Sequence, residues 1–126
     1  MRAIDTNVLV RLITRDDPRQ VGSADAFIAK GAWVSVLALT EAIWILAAVY
    51  RRNAAGIATA VDMLLNHEQL VIQDSDAVAA ALDLFRSRPS IGFSDCMMLQ
   101  AARKAGHLPL GTFDRALAKI DGAQKL

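Results

Sequence analysis

The sequence predicts an α/β domain with a mostly parallel β-sheet flanked by helices on both faces. Short apolar runs alternate with segments of helical periodicity, which is typical of this class. No internal repeat, low-complexity tract or linker interrupts the alternation. The length of 126 residues suits one domain, and a hydrophobic content of 54% is enough to form a core. We therefore expect a single domain over residues 1–126.

The strands are predicted from short apolar runs that end at polar or turn residues. In chain order they are residues 2–4, 33–36, 70–72, 108–112 and 123–126. Helices are predicted between the strands wherever apolar residues recur at a spacing of three or four. These helices are marked by Leu9, Leu12 and Ile13; by Val21, Ala24 and Ile28; by the apolar run to about Tyr50; by Ile57, Val61 and Leu64; by Val78, Leu82 and Phe85; and by the run from Ser94 to about Ala105.

Turn residues punctuate this pattern. Pro18 suits the first turn of the second helix, and Gly31 and Gly106 suit helix ends. Arg88-Pro89-Ser90 is predicted as a loop, and a short helix is expected after Asp114.

Charge and cysteine content exclude several classes of protein. The net charge is only +1, so the chain is not a strongly basic coat for nucleic acid, although 10 of its 14 basic residues are arginines. Cys96 is the single cysteine, which rules out an internal disulfide and a thiolate zinc site and fits a reducing cytoplasm. The N-terminus lacks the layout of a secretory signal. Residues 32–50 are long enough to span a bilayer, but Glu41 at their middle favours a strand followed by a buried helix.

Four acidic residues lie where a predicted strand ends or a helix begins: Asp5, Glu41, Asp95 and Asp114. In open parallel sheets ligands bind beyond the carboxyl ends of the strands, and right-handed connections bring these positions to one edge. Four converging carboxylates would need cations, and a set of oxygen ligands suits Mg²⁺ or Mn²⁺. The residues therefore predict a hard-metal site and metal-assisted chemistry on phosphate.

A purely structural interpretation also exists for three of the four acids. Asp5, Asp95 and Asp114 are each placed to cap a helix or to lie in its first turn. That interpretation does not suit Glu41, because this residue lies in the most apolar run of the chain. Burial there without a partner would raise the pKa of its carboxyl.

The chain resembles the PIN domain, and more closely the VapC-type toxins of bacterial toxin–antitoxin pairs. The resemblance runs through Ile4-Asp5-Thr6-Asn7-Val8-Leu9, Arg15-Asp16-Asp17-Pro18, Leu39-Thr40-Glu41, Phe93-Ser94-Asp95 and Thr112-Phe113-Asp114-Arg115. It implies a cytoplasmic bacterial endoribonuclease that hydrolyses RNA phosphodiesters with metal-activated water. It also implies that Asp5, Glu41, Asp95 and Asp114 are the catalytic, metal-binding acids, with Asn7 and Thr112 as polar supports.

The partners expected from this resemblance are an RNA substrate, a VapB-like antitoxin that covers the active site, and a second copy of the chain in a homodimer. No membrane association is expected. Six arginines are candidates for gripping the RNA backbone: Arg11, Arg15, Arg51, Arg52, Arg86 and Arg88. Trp44, Ile45 and Val49 are expected to lie in the core rather than in a partner-binding groove.

Two other functions fit parts of the sequence. A haloacid-dehalogenase-like phosphatase also opens with a strand and a nucleophilic Asp, but its motif requires a second Asp where Asn7 stands. A non-catalytic PIN-like RNA-binding module would tolerate the loss of Asp5, whereas this chain keeps all four acids.

Overall fold

The computed structural model describes all residues from Met1 to Leu126, which divide into two compact units, Met1–Ser75 and Asp76–Leu126. The first unit contains, in chain order, β1 (Arg2–Ile4), α1 (Thr6–Thr14), α2 (Pro18–Ile28), β2 (Ala32–Val34), α3 (Val36–Ala48), α4 (Ala54–Leu65) and β3 (Leu70–Ile72). The second contains α5 (Ser75–Ser87), which begins at the boundary, a 3₁₀ turn (Pro89–Ile91), α6 (Phe93–Ala105), β4 (Leu110–Thr112), α7 (Arg115–Ala118) and β5 (Ala123–Lys125).

The sheet of the first unit has three parallel strands in the order β1-β2-β3. Ile4 pairs with Val34, and Val34 pairs with Ile72, so the three strands end at the same level. Helices lie between consecutive strands, because parallel strands require crossover connections. This arrangement confirms the predicted α/β class with parallel strands.

The core of the first unit is made by apolar residues of its helices and its strands. The side chains with no exposed surface include Leu9, Val34, Leu39, Leu46, Val61 and Leu64. They come from α1, β2, α3 and α4, so each of these elements contributes a buried face. Burying a side chain of this size stabilises the fold by roughly 1.5–3 kcal/mol.

The second unit contains a separate ladder in which β4 and β5 run parallel, with Leu110 opposite Ala123 and Thr112 opposite Lys125. Val78, Cys96 and Leu99 are completely buried. The rings of Phe85 and Phe93 meet edge to face with centroids 6.1 Å apart.

Capping residues determine where the helices of the first unit begin. The side chains of Asp5, Asp17, Ser35 and Asn53 each accept a hydrogen bond from a backbone N–H in the first turn of α1, α2, α3 and α4, respectively. Arg15 ends α1 in a left-handed conformation, with φ of 52°. Caps of this kind satisfy backbone groups that have no partner inside the helix.

Several predicted boundaries were wrong by one or two residues. The second strand ends at Val34 instead of residue 36, because the Ser35 hydroxyl caps α3 and Val36 is already helical. The fourth strand begins at Leu110 instead of residue 108, since Pro109 has no N–H to give to a ladder. The segment predicted as a loop at Pro89 contains the 3₁₀ turn. The last strand ends at Lys125.

None of the helices combines the length and the apolar character that crossing a membrane requires. Residues 32–50 divide into β2 and α3, as predicted.

Candidate active site

Asp5 lies directly beyond the carboxyl end of β1 and caps α1. Its Oδ1 accepts a hydrogen bond from the backbone N–H of Val8 at 3.1 Å. The side chain is exposed, and its second oxygen receives no hydrogen bond from the chain. Capping therefore uses one carboxylate oxygen and leaves the other available to a ligand.

Thr6 links this position to Glu41 on α3. The Thr6 hydroxyl donates a hydrogen bond to Glu41 Oε2 at 2.9 Å. Thr6 is the residue that follows Asp5, so this bond holds the Glu41 carboxylate beside the start of α1. The first unit thus places Glu41 against the residue that follows Asp5.

The expectation that Glu41 is buried was wrong. Glu41 is exposed, and the residues on the same side of α3, Leu37 and Trp44, are exposed over 68% and 65% of their surface. A helix inside an apolar run still presents one side to solvent, and the positions at i, i+4 and i+7 share that side. Trp44 and Val49 (65% exposed) were also wrongly expected in the core.

Asp95 and Asp114 form a pair in the second unit. Asp95 lies in the first turn of α6 and is half-buried, and its side chain receives no hydrogen bond and no ion pair. Burial raises the pKa of the Asp95 carboxyl, and the negative charge of Asp114 raises it further. A desolvated carboxylate beside a second carboxylate is an arrangement that a bound cation stabilises.

Asp114 repeats the geometry of Asp5 at the end of β4. Its Oδ1 accepts a hydrogen bond from the backbone N–H of Leu117 at 2.8 Å and so caps α7. The Thr112 hydroxyl accepts a hydrogen bond from the Asp114 backbone N–H at 3.0 Å. Thr112 therefore orients the backbone that carries Asp114. The capping interpretation and the site interpretation of Asp5 and Asp114 are compatible.

The family model for the PIN domain matches residues 3–123, which is nearly the whole chain and includes all four acids. The chain belongs to the PIN domain family. No curated protein and no solved structure matches it. PIN domains are generally metal-dependent nucleases, which hydrolyse phosphodiester bonds.

The acids of this PIN domain supply the kind of ligand that a divalent metal ion requires. All their donor atoms are carboxylate oxygens, and Asp5, Glu41 and Asp114 each have an oxygen to which the chain gives no hydrogen bond. Neither unit by itself arranges three or more His, Cys, Asp or Glu side chains around one point. Cys96 is buried next to Asp95, and burial raises the pKa of its thiol to about 11.

The six candidate arginines fall into two groups. Arg11 and Arg15 are held by acids within the first unit: Arg11 by Asp16 at 2.8 Å, and Arg15 by two hydrogen bonds to Asp25. Those contacts raise the pKa of both guanidinium groups, with Tyr50 making the largest contribution at Arg11. The side chains of the other four make no hydrogen bond or ion pair in the structure: Arg51, Arg52, Arg86 and Arg88.

A cleft of about 460 Å³ opens between α1 and α2, and Asp5 lies in its lining. The predicted support Asn7 is exposed and also lines this cleft. The sequence predictions did not identify this cleft or the role of Thr6. The available signal for Thr6 was its position between Asp5 and Asn7. For the cleft it was the recurrence of Gln20, Ala24 and Phe27 along one side of α2.

Proposed function

We propose that residues 1–126 act as one PIN domain that cleaves RNA, as the toxin of a VapBC-like toxin–antitoxin pair in the bacterial cytoplasm. The observation that carries the proposal is the family match over residues 3–123, a span in which all four acids are present. The half-buried Asp95 beside Asp114 supports it, because a structural role alone gives no reason to place two carboxylates together.

In this proposal Asp5 and Asp95 anchor Mg²⁺ or Mn²⁺, and Glu41 and Asp114 complete the shell or orient water. Such an ion neutralises phosphate charge and provides Lewis-acid activation of water. Thr6 orients Glu41 through its 2.9 Å hydrogen bond, and Thr112 orients the backbone of Asp114. The unpaired arginines Arg51, Arg52, Arg86 and Arg88 are the ones free to bind RNA phosphates without breaking an internal contact.

The family assignment favours this function over the haloacid-dehalogenase-like phosphatase. The remaining alternative is a non-catalytic RNA-binding module, and a substitution of one acid can distinguish it from a nuclease. The two differ in whether loss of a carboxylate stops cleavage while RNA binding and folding remain.

Glu41→Gln is expected to lower the rate of RNA cleavage in Mn²⁺ by at least about tenfold. Glutamine keeps an oxygen that accepts the Thr6 hydrogen bond but loses the negative charge that binds a cation. The measurement is cleavage of total RNA by purified protein, with EDTA as the metal-free control.

Glu68→Gln is the matched control, because Glu68 is the other glutamate of the chain, is exposed, and lies before the start of β3, whereas Asp5 lies after the end of β1. It should cleave like wild type. Equal activity of Glu41→Gln and wild type would remove Glu41 from the proposed site. Absence of cleavage by wild type in both Mn²⁺ and Mg²⁺ would overturn the nuclease itself.

We also propose that the chain forms a homodimer and binds a VapB-like antitoxin over the active site. The support is the exposed apolar side of α3, where Leu37 and Trp44 flank Glu41. Light scattering of the purified chain should give twice its mass of 13.6 kDa. The tagged chain, expressed with its genomic neighbours, should retain a small partner. A monomer without a co-purifying partner would contradict both proposals.

A further inference from the structure

The cleft between α1 and α2 has the size and lining of a ligand site. Its volume of about 460 Å³ lies within the range typical of small-ligand pockets, which is roughly 300–1,000 Å³. One end is defined by Asp5, which the proposed function assigns to the metal. The rest of the lining includes Val8, Arg11, Arg19, Gln20, Ala24 and Phe27.

Positive charge dominates the polar part of the lining. Arg19 is exposed on the first turn of α2 and makes no hydrogen bond or ion pair. Arg11 is held in place by Asp16 at 2.8 Å and by the Tyr50 hydroxyl at 3.0 Å. Asp5 is the only acid in the lining. The cleft therefore offers an unpaired guanidinium, that of Arg19, and a fixed one, that of Arg11, to an anionic ligand.

The fixed guanidinium also determines which atoms Gln20 presents. Arg11 Nε donates a hydrogen bond to Gln20 Oε1 at 2.6 Å, so the amide nitrogen of Gln20 is left to donate. The polar groups that α2 adds to the cleft are then mainly hydrogen-bond donors, which suit the carbonyl oxygens of a base and the oxygens of a phosphate.

The apolar part of the lining suits a flat ring. Val8 and Ala24 contribute small apolar surfaces, and the half-buried Phe27 contributes an aromatic one. The Arg2 guanidinium lies 3.8 Å from the centroid of the Phe27 ring and donates a hydrogen bond to the Phe27 carbonyl oxygen at 3.2 Å. These contacts hold the ring and place a positive charge over one of its faces.

We propose that this cleft holds one unpaired nucleotide of the RNA, next to the phosphodiester that is cut. Arg19 binds a phosphate of the RNA, Phe27 packs against the base, and Gln20 donates to the base edge. The inference rests on the proposed function for the identity of the substrate. A peptide would also fill an apolar cleft. The lining, however, has two arginines and one acid, Arg19 has no acidic partner, and Arg2 adds a cation at the Phe27 ring, which together favour an anionic occupant.

The test measures binding of a fluorescent single-stranded RNA oligonucleotide of mixed sequence by anisotropy, in EDTA so that no cleavage occurs. Wild type is compared with Arg19→Ala, Phe27→Leu and Lys30→Ala. Lys30 is the matched control, because it is an exposed cation just after α2 and outside the cleft. Circular dichroism verifies folding, and Arg19→Ala keeps the test valid if Phe27→Leu is misfolded.

Phe27→Leu is expected to weaken RNA binding by roughly fivefold or more, the effect of losing one stacked base. Arg19→Ala is expected to lower the slope of log affinity against log salt by about 0.7, the value of one phosphate contact on a single strand. Lys30→Ala should change neither quantity.

Equal affinities and salt slopes in all four proteins would overturn the nucleotide site, as would the absence of RNA binding by wild type. If Arg19→Ala changes the mass measured by light scattering and leaves RNA binding unchanged, the cleft is an interface with a second copy of the chain. That result would also overturn the proposal. Cleft-dependent binding together with no cleavage in Mn²⁺ would support the nucleotide site and contradict the nuclease. The two proposals therefore fail separately.

Discussion

Asp5→Asn should reduce RNA cleavage in Mn²⁺ by more than about 100-fold, beyond what the loss of a second-shell partner costs at a metal site. The reason is loss of charge without loss of structure. Asparagine caps helices as well as aspartate does, so its Oδ1 can still accept the hydrogen bond from Val8 and α1 still begins at Thr6. The neutral amide, however, is a much weaker ligand for a hard cation than a carboxylate.

Asp17→Asn provides the matched control for this substitution. Asp17 caps α2 just as Asp5 caps α1, by accepting a hydrogen bond from the Gln20 backbone N–H at 3.1 Å. It does not line the cleft and is not among the four acids. The same change at Asp17 should therefore leave cleavage at the wild-type rate.

The experiment is to induce each protein under a tight promoter and sequence the new RNA 5′ ends, with growth as a second measurement. Cuts and growth arrest with wild type and Asp17→Asn, but not with Asp5→Asn, are the expected result. If Asp5→Asn cuts like wild type, Asp5 is a helix cap alone and the proposal of a four-acid site must be abandoned. Melting temperatures of the three purified proteins distinguish loss of chemistry from loss of folding.

The positions of Asp5 and Asp114 between a strand and a helix were predictable from the local sequence pattern. Both follow a short apolar run and precede helical periodicity, and the structure places both at a strand end with one oxygen capping a helix. The same local rule predicted two functions for each residue, capping and ligand binding. Sequence alone had no means of choosing between them, because a carboxylate has two oxygens and capping needs only one.

The exposure of Glu41 was not predictable from composition. The run around it is apolar on every side of α3, so the hydrophobic pattern does not identify the solvent-facing side. That side is determined by which positions pack under the helix, and here Leu39, Ala42, Ile43 and Leu46 do so. The exposed tryptophan at position 44 follows from the same packing, as does the contact of Glu41 with Thr6.

Which arginine of the α1–α2 cleft is available to a ligand depends on tertiary contacts that no local pattern contains. Arg11 and Arg19 look alike in the sequence, because both are arginines in predicted helices. The structure separates them, because Arg11 has Asp16, Tyr50 and Gln20 as partners and Arg19 has none. Whether an arginine is structural or available to a ligand is thus decided by partners that lie up to 39 residues away.

Asp95→Asn should abolish cleavage, again by more than about 100-fold, and should stabilise the metal-free protein at neutral pH. Burial and the charge of Asp114 raise the pKa of the Asp95 carboxyl in the folded state above its unfolded value. Ionisation at neutral pH therefore costs the folded state free energy, and a neutral amide of the same shape avoids that cost.

The stability difference between Asp95→Asn and wild type is expected to depend on pH. Below the unfolded pKa of about 3.9, the carboxyl is protonated in both states and carries no penalty. The penalty appears as the pH rises through the raised folded pKa and is complete above it. The difference in melting temperature between Asp95→Asn and wild type, measured in EDTA, should thus be largest at neutral pH and shrink as the pH falls towards 4. Asp83→Asn, an exposed change on α5, should match wild type throughout.

In saturating Mn²⁺, wild type should have a higher melting temperature than Asp95→Asn, which is the reverse of their order in EDTA. A metal ion that binds the folded state stabilises wild type by about 2.7 kcal/mol at 100 times its Kd, whereas Asp95→Asn has lost an anchor and gains less. NMR titration provides the electrostatic check, because Asp114→Asn should lower the pKa of the Asp95 carboxyl and Asp83→Asn should leave it unchanged. If Asp95→Asn is less stable than wild type in EDTA and still cleaves RNA, Asp95 is a structural residue of α6. If it is more stable in EDTA and inactive, the ionised Asp95 carboxylate destabilises the metal-free fold, and a bound cation offsets that cost.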